Sequence, residues 1–147
     1  MKTILVTGGA GYIGSHTCLA LAKRGYAPIV FDNLVNGHRK FVNWGPLEVG
    51  DIRDKERLEA VIRKYQPAAV IHFAGLIEVG QSFLDPAAFF ETNVGGSIAL
   101  LSAVLKAGVD KIVFSSTCAT YGIPPGTAQR RSPAIADQSL WAQQANR

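Results

Sequence analysis

Short apolar runs alternate along this chain with longer segments whose apolar residues recur at helical spacing. The clear runs are residues 3–6, 28–31, 68–73 and 111–114, and residues 47–49 form a shorter fifth. Apolar runs without polar alternation are typical of strands that are buried on both faces, as parallel sheets require. The pattern therefore predicts five strands of a parallel sheet.

Three segments between these runs have the periodicity of helices. They are residues 12–24, residues 54–65 and the long segment 86–106. Asp54 is expected to cap the second helix, while Gly25 and Gly108 suit left-handed helix ends. Strands that alternate with helices predict an α/β fold, a Rossmann-like doubly wound parallel sheet with strand order 3-2-1-4-5.

Small and polar residues follow each predicted strand. In chain order they are Thr7-Gly8-Gly9, Asp32-Asn33, Gly50-Asp51-Ile52, Phe73-Ala74-Gly75 and Ser115-Ser116-Thr117. In a doubly wound sheet, ligands bind beyond the carboxyl ends of the strands. The sequence therefore predicts a binding site at this edge.

The glycines after the first run suggest what binds there. Gly8 and Gly9, then Gly11 and Gly14, join a strand to a helix, and Asp32 follows Gly14 by eighteen residues. Such glycines make a tight turn, let the main chain approach a pyrophosphate and let the helix pack on the strand. An acid at this distance accepts hydrogen bonds from a ribose 2′-hydroxyl and repels a 2′-phosphate. We therefore predict a dinucleotide site that prefers NAD to NADP, and no metal site.

Composition excludes several other classes. The 147 residues, 48% hydrophobic and 18% charged, suit one domain with its own core. The net charge of +4 comes without a basic cluster interleaved with aromatics, so we expect no nucleic-acid partner. No segment is expected to span a membrane or to act as a signal peptide. Cys18 and Cys118 are interpreted as reduced thiols in a cytoplasmic protein.

The motifs, taken in order, resemble a known family over residues 1 to about 122. The Gly-Tyr-Ile-Gly-Ser-His stretch at 11–16, His-Phe-Ala-Gly-Leu at 72–76 and Phe-Ser-Ser-Thr at 114–117 look like UDP-glucose 4-epimerases, which belong to the extended short-chain dehydrogenase/reductases. The resemblance implies NAD-assisted inversion at C4 of a UDP-sugar, with interconversion of UDP-galactose and UDP-glucose through a 4-keto intermediate. It also implies pairing into a homodimer through the long helices.

The resemblance assigns roles to individual residues. Thr117 matches a catalytic hydroxyl that contacts the reacting oxygen, and Ser115 lies beside it. His16 and His72 are interpreted as structural. The residues expected to contact the cofactor are Gly8, Gly11, Tyr12, Ile13, Gly14, Asp32, Asn33, Leu34, Asn36, Gly37, Asp51, Ile52, Phe73, Ala74, Gly75, Leu76, Thr92, Asn93 and Ser115.

One expected motif is missing. In relatives a Tyr-x-x-x-Lys follows the catalytic hydroxyl by about two dozen residues, but that position is Ala142, and no tyrosine follows Tyr121. We therefore expect residues 1–122 to form the NAD-binding domain. Residues 123–147 are expected to be a tail unlike the family, disordered or frameshifted, in a truncated chain that is inactive alone.

Two other readings stay open. The chain could derive from another NAD-dependent nucleotide-sugar enzyme, a dehydratase or decarboxylase, although residues 117–119 lack the carboxylate that those enzymes use. It could instead be a non-catalytic NAD-binding module. In each case the fifth strand is expected to be an open apolar edge that favours self-association.

Overall fold

The computed structural model describes residues 1–117, which fall into two compact units. The first unit is Met1–Phe114, and the second begins at Ser115. The predicted boundary between residues 122 and 123, and the predicted tail, lie outside the described residues.

A five-stranded sheet forms the centre of the first unit. The strands are β1 (Thr3–Thr7), β2 (Ala27–Asp32), β3 (Leu47–Val49), β4 (Ala69–His72) and β5 (Ile112–Phe114). Their order is β3-β2-β1-β4-β5, and each neighbouring pair is parallel. The predicted fold class and strand order are confirmed.

Helices connect these strands. They are α1 (Tyr12–Lys23), α2 (Lys55–Tyr65), α3 (Val79–Leu84), α4 (Pro86–Phe89) and α5 (Gly96–Lys106), with a short 3-10 helix at Arg39–Phe41. The Asp54 carboxylate accepts a hydrogen bond from the Arg57 N–H at 2.9 Å, which confirms the predicted cap. Gly25 and Gly108 have φ of +80° and +72°, as predicted for left-handed helix ends.

The core lies on both faces of the sheet because strand side chains alternate in direction. Leu5 and Phe31 pack with α2 and α5 on one face, in a cluster that includes Leu58 and Leu100. The neighbouring residues of the same strands form a second cluster with Cys18 of α1. This two-sided burial is why the strands lack polar alternation.

The segment predicted as one helix over residues 86–106 is more complex. A π-helical turn, Phe90–Gly95, separates α4 from α5. The sequence analysis also missed α3, whose six residues are too few to produce a clear period. Within the π-helical turn, Asn93 binds Leu76, 17 residues away, a contact that periodicity does not report.

The expectation that no segment suits a membrane needs correction. Pro86–Lys106 spans 21 residues, and its most apolar 18-residue window has a mean hydropathy of 1.4, enough by length and composition to cross a bilayer. Core helices of soluble proteins meet the same criterion, and 28% of this helix's most apolar window is buried. In this chain its inner face packs on α2 and the sheet.

Strand β5 is thinly covered. Its three side chains are 38–61% exposed, and no strand within residues 1–117 pairs with its outer edge. An apolar strand edge of this kind is a template for pairing with another chain. The self-association expected from it stays a prediction.

Candidate cofactor-binding site

The turn between β1 and α1 is shaped by three glycines with different surroundings. Gly8 has φ of +70°, and a Cβ there would lie 2.7 Å from the Ala74 nitrogen. A Cβ at Gly14 would collide with the carbonyl oxygen of Gly8. At Gly11 the nearest neighbour of an added Cβ is the same oxygen at 3.3 Å, with no other described atom within 4 Å. Gly8 and Gly14 therefore serve internal packing, while Gly11 borders open space.

The N-terminus of α1 faces this open space. No side chain caps the helix at Gly11, and its first turn contains no acid. Tyr12 and Ile13 are exposed. Uncapped N–H groups and the helix dipole together favour an anion. The turn therefore suits a phosphate group that approaches the main chain closely at Gly11.

Asp32 ends β2 beside the turn and is held rigidly. The residue is 7% exposed, and its carboxylate accepts hydrogen bonds from the Ala10 N–H at 3.0 Å and the Leu34 N–H at 2.8 Å. Leu34 has φ of +62°, and a Cβ at Gly37 would lie 2.6 Å from Asp32 Oδ1. The loop after β2 is therefore folded tightly over the carboxylate. Each oxygen keeps one lone pair for a ligand hydroxyl.

Asp51, at the end of β3, belongs to a second polar cluster. Arg53 donates to it from Nε and Nη2, each at 2.9 Å, and from its main-chain N–H. The Asn33 amide adds a hydrogen bond at 3.1 Å. These bonds, led by the Arg53 side chain, hold the pKa of Asp51 well below its usual range. Asp51 is therefore an ionised acceptor whose orientation is set by Arg53.

Arg53 was not among the predicted site residues, although the Asp-x-Arg spacing could have suggested a bidentate pair. The side chain of Ile52, by contrast, turns into the core, where it packs against Gly96. Any contact of Ile52 with a ligand would therefore involve its main chain. Asn36 is exposed in the loop that covers Asp32.

Residues 73–76, which follow β4, form the opposite wall of the site. Phe73 and Ala74 lie against the Gly8 turn. The Asn93 amide binds both main-chain groups of Leu76: Oδ1 accepts from the N–H at 2.7 Å and Nδ2 donates to the carbonyl at 2.9 Å. Thr92 precedes Asn93 in the π-helical turn. Asn93 therefore fixes this loop from behind.

The predicted residues thus fall into two groups. Those at the ends of β1 to β4 converge at one edge of the sheet, as expected. Ser115 and Thr117 follow β5 and belong to the second unit. The ligand contacts assigned to both groups stay predictions. Ala142, which occupies the position of the expected tyrosine, lies outside the described residues.

Comparisons with known proteins agree with this geometry. The model of the NAD dependent epimerase/dehydratase family matches residues 4–143. A UDP-glucose 4-epimerase from Rhizobium leguminosarum bv. trifolii is 64% identical over 123 residues, which are 84% of this chain and 38% of that relative. The chain therefore spans well under half the length of this curated relative.

Solved structures resemble the chain in three dimensions. UDP-glucose 4-epimerase from Brucella ovis, crystallised in complex with NAD, has a TM-score of 0.82 and 45% identity, covering 99% of this chain and 46% of that one. The enzyme from Thermotoga maritima, crystallised with UDP-glucose, has a TM-score of 0.79 and 39% identity, covering 85% and 41%. The sheet described above thus matches the Rossmann-like sheet of NAD-binding epimerases.

Proposed function

The chain belongs to the NAD dependent epimerase/dehydratase family, and from this premise we propose that it is the NAD-binding part of a UDP-glucose 4-epimerase. Such an enzyme would act on UDP-galactose and UDP-glucose. When bound, NAD supplies a reversible hydride acceptor for the sugar. The residues described here bind and orient that cofactor.

The observation that carries the proposal is the contrast between the glycines of the first turn. Gly8 and Gly14 are enclosed by protein, whereas Gly11 borders open space beside an uncapped helix. Among residues 1–117 an added Cβ at Gly11 would meet only the Gly8 carbonyl oxygen, at 3.3 Å, so the bare main chain there leaves room for a diphosphate. Asp32, held by two main-chain N–H groups, would then accept from the adenosine ribose.

The other predicted contacts complete the cofactor site. Asp51, oriented by Arg53, would contact adenine by exchanging its hydrogen bond from the Asn33 amide for one from the base, since its other acceptor positions are taken by Arg53. The loop at residues 73–76 would border the nicotinamide. Asp32 disfavours a 2′-phosphate by charge, so we propose NAD rather than NADP as the cofactor.

The test uses glycine substitutions in the 147-residue chain. Gly11 has an ordinary φ of −79°, so Gly11→Ala needs no left-handed conformation, and its Cβ would require only a small shift from the Gly8 carbonyl oxygen at 3.3 Å. Gly80 is the matched control, because an added Cβ there meets nothing within 4 Å. NAD binding is measured by isothermal titration calorimetry, and folding is checked by the melting temperature.

We expect the unmodified chain and Gly80→Ala to bind NAD alike, and Gly11→Ala to bind at least 10-fold more weakly with little change in melting temperature. The proposal fails if the unmodified chain takes up no NAD, or if Gly11→Ala retains full affinity.

Turnover is a separate question, because the sequence has no Tyr-x-x-x-Lys after Thr117. We therefore propose that these 147 residues bind NAD without interconverting UDP-sugars. A chain with a complete cofactor cluster and no catalytic base also suits a second candidate function, a non-catalytic NAD-binding module. Incubation with NAD and UDP-galactose should yield no UDP-glucose, and any product would contradict this proposal.

A homodimer is proposed from an apolar stripe on the long helix. Its members, 42–74% exposed, are Phe90, Val94, Ile98, Leu101 and Leu105. Their spacing of three and four residues places them on one helix face. A second copy of the chain would bury this stripe. A monomer at micromolar concentration in analytical ultracentrifugation would refute this.

We propose a cytoplasmic location. The free thiol of Cys18 fits a reducing compartment of this kind. Localisation of a tagged chain by cell fractionation would test the proposal.

A further inference from the structure

A series of three buried or partly buried hydrogen bonds crosses the first unit beside the candidate site. Thr7 Oγ1 lies 2.6 Å from Nδ1 of His72, and Nε2 of His72 lies 3.1 Å from Oγ of Ser97. Ser97 Oγ in turn donates to the main-chain carbonyl of Asn93 at 2.5 Å. These hydrogen bonds therefore connect the last residue of β1 to the π-helical turn through β4 and α5.

The direction of each bond follows from the number of protons available. Ser97 has one hydroxyl proton and donates it to the Asn93 carbonyl, so it accepts from His72 Nε2–H. Nδ1 of a neutral His72 is then an acceptor, and the Thr7 hydroxyl donates to it. Burial lowers the pKa of His72, which favours this neutral form. In each of the three hydrogen bonds, the donor is thus on the Thr7 side and the acceptor on the Asn93 side.

The series of hydrogen bonds ends at Asn93, whose side chain makes separate contacts. The Asn93 amide binds both the N–H and the carbonyl of Leu76. Asn93 lies within the π-helical turn, and such turns are uncommon and occur often at functional sites. The Ser97 bond to the Asn93 carbonyl therefore supports the turn that aims the amide at Leu76.

The loop held in this way has little freedom on its other side. Phe73 and Ala74 lie against Gly8, where an added Cβ would be within 2.8 Å of both residues. A Cβ at Gly75 would lie 3.1 Å from Asn93 Oδ1. The loop is therefore clamped between the phosphate-binding turn and the π-helical turn, and the hydrogen-bond chain connects both sides.

We propose that Ser97 is a positioning residue of the dinucleotide site. Its hydrogen bonds to His72 and to the Asn93 carbonyl fix the π-helical turn. Asn93 thereby holds the loop at residues 73–76 in place for the nicotinamide end of the cofactor. This inference rests on the proposed function, since it deepens the same site. Ser97 itself touches no ligand in this scheme, because its hydroxyl is occupied by protein on both sides.

The experiment compares Ser97→Thr, which keeps the hydroxyl, with Ser97→Val, which has nearly the same shape as threonine without it. Ser97→Ala is a second hydroxyl-free variant, in case valine prevents folding. Two quantities are measured on the 147-residue chain: the NAD dissociation constant by calorimetry, and hydrogen exchange at the Leu76 amide without nucleotide.

We expect Ser97→Thr to match the unmodified chain within 2-fold in both measurements. Ser97→Val and Ser97→Ala should bind NAD at least 5-fold more weakly and exchange the Leu76 amide at least 10-fold faster, while amides of β1 keep their protection. Recovery by threonine separates the hydroxyl from side-chain volume.

The proposal is overturned if the valine and alanine variants retain normal affinity, whether or not Leu76 exchanges faster, or if threonine fails to recover both values. Absence of NAD binding by the unmodified chain would overturn the proposed function instead. In that case the Leu76 amide alone decides whether Ser97 positions the loop, because its exchange is measured without nucleotide.

Discussion

Asp32→Asn is the substitution that separates the structural and ligand-binding roles of this carboxylate. Asp32 accepts from the Ala10 N–H and the Leu34 N–H, and only 7% of the residue is exposed. Asparagine has one acceptor oxygen, so its NH₂ group must face one of these N–H donors. The variant therefore loses a charge and leaves one nearly buried donor unpaired.

The size of the effect follows from these bonds. An unpaired buried donor costs about 1–3 kcal/mol, and each kcal/mol lowers the melting temperature of a domain of this size by about 4 °C. The ligand-free variant should thus melt roughly 4–12 °C lower. Loss of a hydrogen bond between a ribose hydroxyl and a charged acceptor, about 1.5–3 kcal/mol, should weaken NAD binding roughly 10- to 150-fold. Binding of NADP should weaken less, since the repulsion of its 2′-phosphate is also removed.

The assay is calorimetric titration with NAD and with NADP, at a temperature where the variant is folded. Asp110→Asn is the matched control, because it removes the same charge from an exposed residue on the segment that enters β5. An unchanged ratio of NAD to NADP affinity, with a lowered melting temperature, would refute the ribose-binding role and leave Asp32 a purely structural residue.

Three further substitutions test the fold and the assembly. Glu48, whose pKa is lowered to about 2 chiefly by its hydrogen bond from Lys64, stabilises the fold above its unfolded pKa near 4.3. That contribution is lost as the pH falls through the pKa that Glu48 has in the folded protein. Glu48→Gln should therefore reduce the fall in the free energy of unfolding between about pH 5 and pH 2, measured by urea titration. An unchanged pH profile would contradict this. Gly14→Ala should abolish soluble folded protein, measured by circular dichroism, because its Cβ collides with the Gly8 carbonyl; a normal spectrum would contradict the close packing. Ile98→Asp should convert a dimer to monomer in analytical ultracentrifugation without lowering helix content, and an unchanged sedimentation coefficient would count against the apolar stripe as the interface.

Much of the candidate site could be predicted because its residues are tied to local chain geometry. The glycines after β1 and the acid after β2 occupy strand ends, and strand ends can be identified from apolar runs alone. Arg53 and Ser97 could not be identified in this way. Their importance lies in pairings with Asp51 and His72, and the His72 pairing joins residues 25 positions apart.

The amino-acid sequence by itself determined the alternation of buried strands and helices and the edge where polar residues gather, because these features depend on short-range periodicity and on the few residue types that make tight turns. The order of the sheet followed from the doubly wound fold that this alternation and the glycine motif are typical of. Only the tertiary structure decided that Gly11 is the open glycine, that Asp51 is oriented by Arg53, and that a π-helical turn interrupts the long helix. The openness of Gly11 and the π-helical turn involve separate segments of the chain, as where Asn93 binds Leu76, 17 positions away. The Asp51–Arg53 pair is local in sequence, and the structure adds the side-chain geometry that makes it bidentate.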